Sequence, residues 1–234
     1  MLNPMRILLL IAFGIFLSTL LPAQTQCNVY FPFEKGAKME YTSYDKKDRP
    51  EATMTHYVVS LEETGEGVMA EVETKMQDKK GKNAFDGSYT VRCKDNTLYM
   101  DMSNFLPQEM MESMGDMEAE VEGDGMVIPE NLEVGQTLPD ASTSIDMSSG
   151  TLGNLMKMTV NVVNRKVQSK ESVITPAGTF DCYKITYDTE MKTIMKKTFS
   201  SAEWYAEGVG MVKSENYKKN GKVDSYMLLT KLEK

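Results

Sequence analysis

Apolar residues recur at every second position over long stretches of the chain. Val68, Ala70, Val72 and Met76 share one side of an extended segment with Thr74 between them, and Tyr89, Val91 and Cys93, then Leu98, Met100 and Met102, repeat the spacing. Successive side chains of a strand point to opposite faces, so this period belongs to half-buried antiparallel strands rather than to helices. Turn-forming clusters separate the runs: "YDKKDRP" at 44–50, "EETGEG" at 62–67, "DKKGKN" at 78–83 and "KDN" at 94–96. The expected product is an N-terminal meander of four or five strands. Alternate turns of a meander lie at the same end, which puts Lys46 and Lys47 beside Lys79, Lys80 and Lys82, with "EETGEG" at the other end. Lysine-bearing turns are most often solvated, and they also guard strand ends against aggregation.

A second β run begins with Met158, Val160 and Val162 and continues through "ESVITPAGTFDCYKITYD", where Pro176 and Gly178 separate two strands. In "MVKSENYKKNGKVDSYMLLTKL" the pair Asn220-Gly221 predicts a type I′ hairpin turn, whose central residues both take positive φ. Both faces of "YMLLTKL" are largely apolar, so the last strand is expected inside the sheet. Between the two β halves, Leu106, Met110, Met114 and Met117 fall at helical spacing, with Pro107 suited to a first turn and Asn104 to a cap. The reading is a mainly β chain with one short Met-rich helix near 105–118.

Residues 1–23, "MLNPMRILLLIAFGIFLSTLLPA", combine one positive charge, an apolar run and a terminal small residue, the pattern of a secretory signal peptide. No later run approaches the length of a membrane span. Residues 24–234 are therefore expected to form a single soluble β domain in the periplasm or at the cell surface. A lipoprotein signal wants small residues directly before its Cys, and here Thr25 and Gln26 precede Cys27, so lipidation is not expected. Cys27, Cys93 and Cys182 would all reach an oxidising compartment, where one disulfide can form and one thiol must remain; sequence does not choose the pair.

The formal charge is −8, and residues 95–156 carry 13 Asp or Glu and no Lys or Arg. This stretch reads as an acidic, Met-rich insert in a β framework. An acidic chain is a poor partner for nucleic acid. His56 is the sole imidazole, too few for a zinc site; with Thr55 and Tyr57 beside it in an expected strand it reads as structural rather than as a hydrolase base, and no phosphate loop or nucleophile elbow occurs. The acidic side chains from Asp101 to Asp124 are too dense to single out a catalytic pair and read as a solvated face. "EVEGDGMVIPEN" at 120–131 departs from a calcium loop, with Asn131 where a bidentate Glu belongs. No enzyme, metal or cofactor is expected. "WYAEGVG" at 204–210 lacks the third glycine of a dinucleotide fingerprint, Lys213 standing in its place, and it precedes a strand. Gly208 and Gly210 are better read as a bend, with Trp204 or Tyr205 packed on the sheet.

Three stretches, "YFPFEKGAKMEYTSYDKKDR" at 30–49, "NRKVQSKESVITPAGTFDCYKITYD" at 164–188 and "AEWYAEGVGMVKSENYKKNGKVDSYMLLT" at 202–230, together resemble the TapB-like family. That family is a domain of unknown function found in exported proteins of Gram-negative bacteria. The resemblance implies a strongly curved antiparallel sheet or half-barrel and supplies no catalytic residue. Fold analogy adds a hydrophobic or lipid-like ligand held in the curve. Met102, Leu106, Met110, Met114 and Met117, with Trp204 and Tyr205, are the candidate ligand wall, since flexible thioethers adapt to ligands of variable shape and also fill cores. The alternative is a structural or protein-interaction module of the envelope with a filled core.

Overall fold

The computed structural model describes residues 29–65, 67–100, 117–149, 153–193 and 196–234. Thirteen strands follow the period of two: β1 (Lys38–Asp45), β2 (Pro50–Thr64), β3 (Gly67–Asp78), β4 (Asn83–Lys94), β5 (Thr97–Met100), β6 (Met117–Asp124), β7 (Met126–Pro129), β8 (Ala141–Ser149), β9 (Gly153–Thr175), β10 (Gly178–Lys192), β11 (Lys196–Ala206), β12 (Gly210–Tyr217) and β13 (Val223–Glu233). They form one sheet in the order β6-β8-β9-β10-β11-β12-β13-β1-β2-β3-β4-β5-β7, antiparallel throughout. β13 lies between β12 and β1, as its two apolar faces predict.

The two edges explain the curvature. β6 and β7 stand at opposite ends of the strand order, yet Gly125 alone separates them in sequence. A sheet joined in this way must bend until its first and last strands approach one another. Residues 117–129 thus run on from one strand into the next, pairing first with β8 and then with β5. The acidic stretch 95–156, expected as an insert, supplies β5 to β8 of the framework itself. The part expected as a solvated loop, 120–131, is β6 and β7.

No helix occurs among the described residues. Of the expected helix near 105–118, residues 105–116 lie outside the described residues, while Met117 and Glu118 open β6. The reason is local: Met117, Ala119 and Val121 alternate with Glu118, Glu120 and Glu122, a strand's period, and adding Met117 to a helical stripe carried that stripe one element too far.

One end of the sheet carries the turns after β1, β3, β10 and β12, and the other carries those after β2, β4, β9 and β11. The Lys46-Lys47 and Lys79-Lys80-Lys82 turns do share an end, called here the rim. The Asn220-Gly221 turn is not type I′. Lys218 N–H donates to Lys222 O and Gly221 N–H to Lys218 O, and only Gly221 of the pair has positive φ, so this is a three-residue loop with a bulge. The two-residue turn with both φ positive occurs instead at Asp95 and Asn96.

The core lies on the face where distant strands meet, which is therefore the concave one. Met39, Tyr41, Val58, Val72, Val91, Leu98, Ile128, Val167, Ile185 and Leu229 are buried there. The end opposite the rim is closed by residues 29–37, a segment without regular structure. Gly208 N–H donates to Val29 O at 2.9 Å, Tyr30 Oη donates to Glu130 O at 3.0 Å, and Tyr30 meets the rings of Tyr183 and Tyr205 edge-on. With Leu132, Leu138 and Val209, this segment forms a packed plug.

Candidate functional site

Trp204 and Tyr205 are neighbours in β11 and so face opposite sides of the sheet. They cannot share one ligand wall. Trp204 pairs with Lys184 and Lys213, whose ammonium groups lie 4.7 and 4.5 Å from its ring, and its Nε1 donates to Glu171 Oε1 at 2.5 Å. β9 reaches β12 and β13 as well as its own neighbours, with a register shift at Gln168 that favours a bend. Its residues Glu171–Ile174 line a cleft of about 550 Å³ with Lys46, Asp48, Trp204 and Tyr226. Trp204 is only 3 % exposed, so it acts as packing between cations rather than as an open stacking platform. Met102, Leu106, Met110 and Met114 lie outside the described residues, and Met117 stands on an edge strand.

The concave face offers two different surfaces. On β2–β5 and β13 the register brings Met54 opposite Met76, Met76 opposite Phe85, Val91 opposite Met100, and Ser43 opposite Met227. Met54, Met76, Phe85, Met100 and Met227 are half-buried, on the rim side of a fully buried layer that includes Val58, Val72, Val91 and Leu229. They form an apolar wall with side chains able to adjust.

Across from it, β9–β11 carry polar groups. Glu203 accepts hydrogen bonds from Tyr187 Oη and Tyr205 Oη, both at 2.7 Å. Burial, then the Glu203 charge, raises both phenols well above their ordinary range, so they stay protonated and donate. Arg165, 2 % exposed, donates from Nη1 to Pro139 O at 2.6 Å, while its Nε has no partner. Burial presses its pKa down, opposed by the charges of Tyr205 and Glu203.

His56 is buried beside Tyr41 and Tyr89, with ring centroids 5.5 Å from each. Its Nδ1 is hydrogen-bonded with Thr74 Oγ1 and lies 3.2 Å from Tyr89 Oη. Burial lowers its pKa to about 4, which keeps the ring neutral at pH 7. Cys93 is disulfide-bonded, whereas Cys182 is free and buried, its thiol pushed up to about 12 by burial. Cys27 lies outside the described residues. No group of three or more potential metal ligands occurs among the described residues.

Gly208 and Gly210 do form the expected bend. Their φ values of +65° and +99° suit glycine, and a Cβ on Gly210 would stand 3.3 Å from Tyr30 O. The Gly-Val-Gly turn is thus the seat of the plug. Sequence reading missed the plug itself and the Glu203 cluster. Tyr187, Glu203 and Tyr205 at alternating positions of neighbouring strands carried the signal, but only the register shows that they meet.

A family model described as DUF3108-like matches residues 34–229. No curated protein matches the chain. Two crystal structures share the fold. One, from Bacteroides fragilis, is described as an exported protein with a YmcC-like fold; it is 23 % identical, with a TM-score of 0.70 over 89 % of this chain and 100 % of that one. The other, described as a lipoprotein from Parabacteroides distasonis, is 22 % identical, with a TM-score of 0.70 over 88 % and 99 %.

Proposed function

We propose that this chain, which belongs to the DUF3108-like family, is an exported, non-enzymatic protein of the bacterial envelope that holds a hydrophobic or lipid-like molecule on its concave face. The observation that carries the reading is the wall of Met54, Met76, Phe85, Met100 and Met227, half-buried beside a sealed core. Apolar side chains left half-covered on a concave surface, with a few polar groups opposite, are the ordinary make-up of a small-molecule site. The Tyr187, Glu203 and Tyr205 cluster is suited to a polar end of the ligand. The leader at 1–23 supports export to the periplasm or cell surface, and so do the descriptions of the two structural neighbours. The stretches at 30–49, 164–188 and 202–230 support the finer assignment to the TapB-like group.

A second reading, a structural or protein-interaction module with a filled core, draws on the packed plug end. Native mass spectrometry of gently purified protein separates the two. The ligand reading expects a co-purified lipid-like mass that is lost on denaturation, and bare protein from several preparations would favour the filled module.

A further inference from the structure

The rim is a candidate surface in its own right, because three of its hairpin turns share one geometry. In each, the first residue's N–H donates to the O of the fifth, and the fourth residue's N–H donates back to the O of the first: Asp45 with Arg49, Asp78 with Lys82, and Lys218 with Lys222. The fourth residue has positive φ in all three, at Asp48, Gly81 and Gly221. Side-chain oxygens of Asp45, Asp78 and Asn220 accept further backbone N–H bonds and stiffen the tips. The turns belong to consecutive hairpins, β12–β13, β1–β2 and β3–β4. At the usual spacing of about 4.8 Å between strands, they span roughly 24 Å of rim.

The same frame presents lysine each time. Lys46, Lys47, Lys80, Lys82, Lys219 and Lys222 are exposed and make no ion pair among the described residues. The nearby acids are engaged: Asp45 with Arg49, Glu51 with Lys79, Asp224 with Lys218, and Asp48 with Tyr226 Oη. A fourth hairpin, β10–β11, adds exposed Lys192 and Lys197 at the same end. Meanwhile the opposite end shows Glu62, Glu63, Asp95, Glu130, Glu133 and Glu207 beside Lys35, Lys94 and Lys234, so the lysine-tipped turns are what sets the rim apart. A large apolar side chain is exposed on this side of the molecule: Phe199, 45 % exposed at the rim-side end of β11.

We infer that the rim docks on an anionic phospholipid surface, with its lysines over the headgroups and Phe199 at the apolar boundary. Flexible lysines without a fixed fork of arginines suit a diffuse field of headgroups more than a particular acidic peptide. Each basic residue near such a surface contributes about 1 kcal/mol, or about five-fold in binding. The inference takes the lipid-like ligand proposed above as its premise, since docking by the rim would bring the half-buried methionine wall toward a bilayer.

The test is co-sedimentation of the processed protein with phosphatidylcholine vesicles, with and without about one-third phosphatidylglycerol. Binding is expected only with phosphatidylglycerol, and its loss is expected in about 1 M salt, where the screening length falls to about 3 Å. Lys46→Gln, Lys80→Gln and Lys219→Gln should each weaken it about five-fold. The triple variant should do so about a hundred-fold, while Glu62→Gln at the opposite end leaves it unchanged. Equal binding to neutral vesicles, or indifference to the triple variant, overturns the docking surface. So does equally tight binding to soluble poly-glutamate, which would point to an acidic protein partner. Binding that appears only after Asp101, Glu109, Glu112 and Asp116 are neutralised would assign the rim to the chain's own acidic segment and overturn it too. Uptake of a fluorescent fatty acid, measured without vesicles, keeps the two ideas apart. The triple variant retains it if the ligand reading holds, and its absence in the parent protein would sink that reading whatever the vesicles show.

Discussion

The two ends of the curved sheet use the same strands and the same alternation, yet one end is sealed and the other is not. At the plug end, Val29, Tyr30, Phe31, Leu132, Leu138 and Val209 fill the concavity and are buried. Toward the rim, Met54, Met76, Phe85, Met100 and Met227 occupy equivalent inward positions and are only half-covered. The strands do not decide the difference. It is made by a nine-residue segment before β1 that returns across one end, seated on the Gly208–Gly210 bend. A half-barrel plugged at one end has a stable core and, nearer the other, a surface available for something else.

That contrast can be broken by mutation. Phe31→Ala removes a buried ring from the plug and should cost about 3–5 kcal/mol, read as a lower denaturant midpoint at unchanged slope. Met54→Ala, on the half-covered wall, should cost clearly less, because less of its surface leaves water on folding. Equal costs would mean that the wall is as much core as the plug.

The acid dependence of stability comes next. His56 has a folded pKa of about 4, against about 6.5 in the unfolded chain. Between these values the unfolded state binds more protons, so stability is complete above pH 6.5 and is lost as pH falls toward 4. The expected loss is about 3 kcal/mol, and His56→Gln should flatten the profile over that window. A parent profile that is already flat would contradict the burial argument.

Smaller again is Glu203→Gln, which replaces the charged acceptor of two tyrosine hydroxyls and should cost about 1–3 kcal/mol. Its coupling to Phe31→Ala in a double-mutant cycle is expected to be non-zero, because Tyr205 bonds Glu203 and packs edge-on against Tyr30 of the plug. The least disruptive probe is the free thiol. Cys182, buried and held in its neutral form, should resist alkylation at pH 8 in the native protein and react fully in denaturant.

Much of the sheet was legible in residues alone. The period of two located strands on either side of the 95–156 stretch, and the turn clusters put the Lys46-Lys47 and Lys79-Lys80-Lys82 tips at one end. What stayed hidden depended on contacts between residues far apart in the chain. Nothing local to Gly125 says that it links the two edges of a thirteen-stranded sheet, and nothing local to "YFPF" says that it plugs the barrel. The Asn-Gly pair misled because Gly221 alone needs positive φ in a three-residue loop, while Asp95 and Asn96 take the tighter turn. Trp204 shared the candidate ligand wall with Tyr205. Its place opposite Tyr205 follows from their adjacency, but which of the two faces inward needed the fold.

The central claim is that the methionine wall of the concave face holds an apolar ligand. Titration of a fluorescent fatty acid into the parent protein and into Met54→Glu tests it directly, with the fold of the variant checked by its thermal transition. Saturable binding that Met54→Glu weakens at least ten-fold, with Trp204→Phe on the opposite face leaving it intact, is the predicted result. Absence of binding in the parent protein, or binding that Trp204→Phe abolishes and Met54→Glu spares, would contradict it.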